Sequence, residues 1–198
     1  MRHEDVRLRF WAATKVSGMG PAAAAHAAAL AELLKDGDAR IRLAAATALG
    51  SAGPAASEHA AALIEALEDS DPGVRLASGN ALVVVEPDVL PHAAAVVAPG
   101  LKHAEPAFRA SAAGSLCAMA GEALPHALAL EEALEDEDAT VRLNAVNALA
   151  SVGRRGVKPA DAAIAKLARS DADANVRKAA IAALAMYNLT AKFGLTAP

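Results

Sequence analysis

Apolar and polar positions along the chain repeat on two scales, a short helical spacing within each segment and a long, nearly constant spacing between segments. Each segment is anchored by a bulky apolar residue followed by arginine: Leu8-Arg9, Ile41-Arg42, Val74-Arg75, Phe108-Arg109, Val141-Arg142 and Val176-Arg177. Successive anchors are 33, 33, 34, 33 and 35 residues apart. With the anchor as position zero, apolar side chains recur at zero, +4, +5 and +8, which share one face of an α-helix. Position +8 is Val16, Leu49, Leu82, Leu116, Leu149 or Leu184. A period of this length marks a supersecondary unit stacked along an axis, so the chain is predicted to be all-α: an α-solenoid of antiparallel helix pairs in about six repeats.

Polar punctuation sets the predicted helix limits. Three residues before each anchor stands Asp5, Asp38, Asp71, Glu105, Asp138 or Asp173, and two residues further back four copies carry Asp36, Asp69, Asp136 or Asp171. The inner acid is an N-cap for a helix here termed B, and Pro72 and Pro106 follow it at the first-turn position that tolerates proline. Glycines and prolines after position +8 end helix B and start helix A. Helix A is expected over residues 21–35, 54–68, 91–103, 122–135 and 158–169. Repeats then cover residues 1–189, beginning at a second helix with no helix A before it, and 190–198 form a tail that is either disordered or folded back as a cap. The open first repeat is expected to be covered by another chain segment, a partner or the remainder of a longer protein. Pro99-Gly100 within the third helix A predicts a kink there.

The segments Asp36-Gly-Asp-Ala-Arg-Ile-Arg-Leu-Ala-Ala-Ala-Thr-Ala-Leu-Gly50 and Asp69-Ser-Asp-Pro-Gly-Val-Arg-Leu-Ala-Ser-Gly-Asn-Ala-Leu82 resemble HEAT repeats, particularly the short HEAT-like variety of the phycobilin lyases. The resemblance implies a right-handed superhelix with B helices along its concave side. It is nearly silent on function, because such repeats serve scaffolds, transport factors, lyases and a few enzymes.

Composition narrows the function classes. A net charge of −4 gives no electrostatic footprint for general nucleic-acid binding. The apolar stretch 81–101 is broken by Glu86, Pro87, Asp88, Pro91 and Pro99, so no membrane span is expected. The single cysteine, Cys117, allows no internal disulfide, and the charged N-terminus is unlike a signal peptide, which together favour an intracellular protein. Asn188-Leu189-Thr190 matches the glycosylation sequon by chance in that setting.

The arginine ladder falls inside the buried arc of helix B, where a permanent charge needs fixed acceptors. Arg9, Arg42, Arg75, Arg109, Arg142 and Arg177 are each expected to bridge to an N-cap carboxylate of their own or an adjacent unit. The candidate acids are those at −3, Asp5, Asp38, Asp71, Glu105, Asp138 and Asp173, which belong to the ladder, and those at −5, Asp36, Asp69, Asp136 and Asp171. His26, His59, His92 and His126 repeat at position +18 and read as half-buried side chains bonded to turn carbonyls rather than as metal ligands or a pH sensor.

Opposite the buried arc, positions +3, +6 and +10 contribute Trp11, Thr14, Thr47, Asn80, Ser111, Asn144, Asn147 and Ser151. Short uncharged donors and acceptors beside alanine suit close packing of a peptide or helix, making this stripe the candidate partner surface. The acidic run Glu131, Glu132, Glu135, Asp136, Glu137 and Asp138 is a second candidate, toward a basic partner.

No catalytic residue, metal site or cofactor is expected. Among HEAT-like enzymes, deoxyhypusine hydroxylase holds two irons with four His-Glu pairs, of which this sequence has only His3-Glu4. The expected function is a non-catalytic protein-binding or assembly scaffold, a subunit or peripheral factor of a larger complex. A phycobilin-lyase-like or metal-dependent HEAT-repeat enzyme is the alternative.

Overall fold

Five aspartates set the starts of the B helices. Asp5, Asp38, Asp71, Asp138 and Asp173 all have extended backbone, and each carboxylate accepts from an N–H two or three residues on. Glu105 occupies the same position before the fourth B helix and makes no such bond, its longer side chain not closing the turn. Where Pro72 and Pro106 follow, they are the first helical residues. The computed structural model describes residues 4–189 and 191–195, and among these no strand is formed.

The sequence pattern is continuous, but the packing divides the chain into two compact units, residues 1–97 and 98–198. The first unit holds α1 (Val6–Ser17), α2 (Ala27–Leu33), α3 (Ala39–Ala52), α4 (Ala60–Glu65), α5 (Pro72–Val85) and α6 (Leu90–Val97). In the second are α7 (Pro106–Ala118), α8 (Ala127–Glu132), α9 (Ala139–Val152), α10 (Arg154–Val157), α11 (Asp161–Ser170) and α12 (Ala174–Met186). B-type helices stack in order, α1 on α3 and α3 on α5 in the first unit, α7 on α9 and α9 on α12 in the second. The A-type helices α2, α4 and α6 lie against α3 and α5, while α8 and α11 lie against α9 and α12.

Helix A is not the uninterrupted helix that its composition predicts. In three repeats it opens as a 3-10 turn, residues 20–26, 53–59 and 120–126, before regular α-helix begins. His26, His59 and His126 stand at the joins, with φ near −110° and ψ of 7°, 9° and 9°. That is the sparsely populated bridge region, a one-residue change of direction that averaged helix propensity does not register. The turns that end α3 and α9 need a left-handed backbone at Gly53, with φ 69°, and at its counterpart Gly153, with φ 93°. In the third repeat α6 ends at Val97, and a 3-10 segment, Ala98–Lys102, carries Pro99 and Gly100 at the unit boundary. The expected helix over 158–169 begins instead at Asp161, preceded by the separate turn α10.

The core follows the wheel. Ile41, Ala45, Ala46 and Leu49 of α3 are fully buried, as are Val141, Ala145, Val146 and Leu149 of α9. Burying each leucine-sized side chain contributes about 1.5–3 kcal/mol. Position +7 is buried too, as Ala48, Ala81, Ser115, Ala148 and Ala183. In the first repeat this place belongs to exposed Lys15, and the anchor Leu8 is 48% exposed where Ile41, Val74, Val141 and Val176 are 0%.

One buried polar atom in this core lacks a partner. Ser78 is 0% exposed at position +4, where α3, α7, α9 and α12 carry alanine, and its Oγ makes no hydrogen bond among the described residues. Ser78→Ala is expected to raise stability by about 1 kcal/mol, measured by chemical denaturation, because it removes an unsatisfied hydroxyl and restores helix propensity.

Candidate functional site

The arginine ladder runs through both units. In four rungs the guanidinium grips the outer aspartate of the next repeat: Arg9 to Asp36, Arg42 to Asp69, Arg109 to Asp136 and Arg142 to Asp171. The Nε–Oδ2 distance is 2.7 Å in every case. Nη2 reaches Oδ1 at 2.8–3.1 Å, completing a bidentate pair. Of the two candidate positions the outer one receives the arginines, which corrects the expectation that the N-cap acids do. Asp5, Asp38, Asp71, Asp138 and Asp173 satisfy backbone donors of their own helices, because their side chains point into the first turn. Glu105 is neither cap nor arginine partner in this arrangement.

Each outer aspartate has further duties. The Oδ1 of Asp36, Asp69, Asp136 and Asp171 also accepts from the N–H two residues on, at 2.8–3.0 Å. Its backbone carbonyl accepts from Nη1 of the next arginine: Arg42 to Asp36, Arg75 to Asp69, Arg142 to Asp136 and Arg177 to Asp171. The result is a relay in each unit, Arg9–Asp36–Arg42–Asp69–Arg75 in the first and Arg109–Asp136–Arg142–Asp171–Arg177 in the second.

Arg75 and Arg177 depart from the expected ladder. Both are held by backbone carbonyls alone, and neither forms an ion pair with a carboxylate among the described residues. For Arg75 the reason is in the sequence, where the outer position of the next repeat is His103. Its Nδ1 accepts from the Glu105 N–H at 3.1 Å and its carbonyl from Arg109 at 3.0 Å, which reproduces two duties of the aspartate. A neutral imidazole with one nitrogen already accepting has no second acceptor for a guanidinium.

The polar stripe is thinner than the sequence implies. Thr14, Thr47 and Ser151 turn their hydroxyls back to carbonyls of their own helices. Asn144 is a structural tie between repeats, its Nδ2 donating to the Ala110 carbonyl at 2.8 Å, so it leaves the candidate surface. Asn80 and Trp11 in the first unit, with Ser111 and Asn147 in the second, remain exposed, and no hydrogen bond of these side chains is found among the described residues. Val84 and Met186, both at position +10, are exposed at 46% and 63%, so this face carries apolar side chains that its polar pattern does not signal.

The other candidates are absorbed by the fold. His26 and His92 are exposed while His59 and His126 are half-buried, and among the described residues none makes the expected bond to a turn carbonyl; His26, His59 and His126 sit at helix joins and His92 lies within α6. Burial holds the His126 imidazole below its usual range. Among the described residues no three His, Cys, Asp or Glu side chains converge as for a metal ion, and His3 of the His3-Glu4 pair lies outside them. The acidic run is largely matched within the chain: Asp136 and Glu137 meet Arg109, Glu132 meets Lys102, Glu135 meets Lys166, and Asp138 caps α9. Cys117 is half-buried. No helix of the described residues is long and apolar enough to cross a membrane.

The tail, where described, folds back on α11. Lys192 pairs with Asp161 at 2.5 Å, and Arg169 donates to the Phe193 carbonyl while stacking over its ring. Thr190 of the sequon lies outside the described residues.

The HEAT repeat model matches residues 1–83, 27–117 and 94–185, together nearly the whole chain. The chain belongs to the HEAT repeat family. No curated protein matches it. Among solved structures, this HEAT chain is similar to an engineered protein at 21% identity, with a TM-score of 0.71 and coverage of 96% of this chain and 93% of that one. A designed armadillo repeat protein in complex with the peptide (KR)4 has 19% identity and a TM-score of 0.71, covering 90% and 91%. The complex of CpcE and CpcF of phycocyanin lyase from Nostoc sp. PCC7120 has 23% identity and a TM-score of 0.61, covering 92% and 72%. At these identities the likeness establishes the all-α solenoid fold of the HEAT array and nothing finer.

The ladder makes stability pH-dependent with a defined sign. The arginine forks hold the carboxyls of Asp36, Asp69, Asp136 and Asp171 below their ordinary value of 3.8, and Arg40 holds Asp38 at about 2. Folded values below unfolded ones give stability that is fully present above pH 4 and is lost as pH falls from there through the folded values. Asp171→Asn is expected to cost about 2 kcal/mol at pH 7, between a surface and a buried pair, since the Arg142 and Asp171 side chains are 14% and 3% exposed. The deficit should shrink toward pH 2, which urea melts across pH 2–7 would measure.

Proposed function

We propose that this HEAT chain is a non-catalytic protein-binding or assembly scaffold, a subunit or peripheral factor of a larger intracellular complex, with its partner read by the outward side of the B helices. The observation that carries this is the set Trp11, Asn80, Ser111 and Asn147: outward-facing, uncharged, and not engaged by the chain's own hydrogen bonds. The exposed Leu43 and Val84 add apolar area beside them. Side-chain amides and hydroxyls next to apolar surface match the polar main chain and apolar side chains of a peptide or helix. That a designed armadillo repeat protein of similar fold is in complex with a peptide supports the same use here. The exposed Leu8 and Trp11 of α1 are a second contact, for end-to-end assembly.

A phycobilin-lyase-like activity is the competing reading, motivated by the similarity to CpcE and CpcF. The sparse aromatics, five in the whole chain, weigh against a pocket for a large conjugated ring system.

Asn80→Arg with Asn147→Arg separates these readings. Partners captured from cell extract by the wild-type chain are purified and titrated against both proteins. Affinity is expected to fall at least about tenfold in the double variant with an unchanged thermal midpoint, as charge and bulk are placed on the stripe. A partner held equally by both proteins would show that the stripe is not the site, and turnover of a bilin substrate by the wild-type chain would favour the lyase.

A further inference from the structure

We propose that the groove between α8 and α11 is a docking site for a basic amphipathic segment of a partner protein. It lies within the second unit, on the A-type helices, and does not rest on the polar stripe of the B-type helices.

Two helix faces form its walls. From α8 and the 3-10 turn that continues it, Ala133–Glu135, come Leu128, Glu131, Glu132 and Glu135, spaced as one helix face. From α11 come Ala163, Lys166, Leu167 and Ser170, spaced in the same way. Cavities of about 420 and 320 Å³ lie along this seam and share Glu135 and Ala163, and the larger reaches the Arg142–Asp171 rung. Both fall in the range of about 300–1,000 Å³ that binding clefts occupy. The opening has a cause in the chain, because the anchors Val141 and Val176 are 35 residues apart where the other intervals are 33 or 34. The helix α8 tightens to a 3-10 turn after Glu132, whereas α11 continues as regular α-helix to Ser170. Helices that differ in this way do not interlock ridge into groove, and the small Ala163 leaves the middle of one wall bare.

The sequence at the groove departs from the repeat in two places. Counted from the anchors, Leu128 stands where α2, α4 and α6 carry Ala28, Ala61 and Ala94, and Glu131 where they carry Ala31, Ile64 and Val97. Leu128 is 74% exposed, the highest value for a large apolar side chain among the described residues. Glu131 is half-buried, and no cation meets it among those residues. An amphipathic segment satisfies both, with its apolar face on Leu128 and Ala163 and a lysine or arginine on Glu131.

The remaining charges select a basic occupant. Along the groove three glutamates face one lysine, while Arg142 and Asp171 neutralise each other. Glu132 meets Lys102 at 3.1 Å and Glu135 meets Lys166 at 3.4 Å, but these side chains are 66–75% exposed, and such pairs are weak enough for a partner's cation to replace. The same carboxylates repel nucleic acid and anionic lipid. A second copy of this chain is a poorer match: its turn Arg154–Lys158 exposes three cations, but Val157 between them is fully buried and has no apolar surface to set on Leu128.

The test uses the full chain and a fluorescein-labelled helical peptide, Lys-Leu-Ala-Lys-Leu-Ala-Lys-Lys-Leu-Ala-Lys-Leu-Ala-Lys, with leucines on one face and lysines on the other. With 13C-labelled leucine and alanine methyls, the Leu128 and Ala163 resonances are expected to move saturably on titration while those of the exposed Leu43 stay in place. Leu128→Ala and Glu131→Ala restore the residues that α2 carries at these positions, and together they should weaken binding at least about tenfold by fluorescence anisotropy. Ala163→Lys, which puts bulk and positive charge into the groove, should do the same and decides if the double variant does not fold. Glu58→Gln, which removes an exposed charge in the first unit, and the Asn80→Arg, Asn147→Arg protein should keep the wild-type affinity within about twofold. A peptide of the same composition with leucines and lysines mixed on both faces should bind at least about tenfold more weakly. Unmoved Leu128 and Ala163 methyls, an equal loss with Glu58→Gln, or equal binding of the mixed peptide would overturn the proposal. So would wild-type dimers in sedimentation that Leu128→Ala dissociates, since the groove would then hold a second copy.

Discussion

Closure of an arginine fork on an aspartate 27 or 29 residues later ties one repeat to the next at four rungs, two in each unit, and most of the other polar geometry depends on where that aspartate is held. Its carboxylate takes two arginine donors and the N–H two residues on, while its carbonyl takes the following arginine. That arrangement leaves the next acid free to cap the B helix, so one loop of five residues satisfies an arginine from behind, an arginine from ahead and a helix N-terminus. Charged groups that would be costly to desolvate singly become tolerable because every one has several fixed partners.

The same interaction is interrupted once along the repeat pattern. At the third rung the aspartate is replaced by His103, which retains the loop hydrogen bonds but has no acceptor left for a guanidinium. At that step, too, the helix before the loop is broken by Pro99 and Gly100, and the division between units falls at Val97 and Ala98. Loss of the aspartate and loss of helix regularity thus coincide in the sequence. The relay is thereby limited to three arginines in each unit, and each ends in one held by neutral carbonyls, Arg75 and Arg177.

Function has to be sought in what the relay does not use. The acidic run looks like a site in one dimension, yet most of its members are met by Lys102, Arg109 and Lys166 from other elements. The polar stripe loses Asn144 to a tie between α7 and α9, and Thr14, Thr47 and Ser151 to their own helices. What remains is a smaller set of amides, hydroxyls and apolar side chains facing solvent, together with the groove between α8 and α11. These surfaces are what the repeated charges, already committed to holding the repeats together, leave unused.

The sequence by itself determined the all-α repeat architecture, the period, the B-helix starts and the buried positions, because these follow from local rules: apolar spacing on one helix face, carboxylates before helices, proline in first turns. Only the tertiary structure decided which acid each arginine holds, since inner and outer aspartates are two residues apart and differ only in which way the loop turns them. The same holds for Asn144 and the lysine-matched glutamates, whose partners are 30 or more residues away in the chain. Polar groups of short reach can be satisfied by any neighbour that packing brings close, and that choice is made in three dimensions.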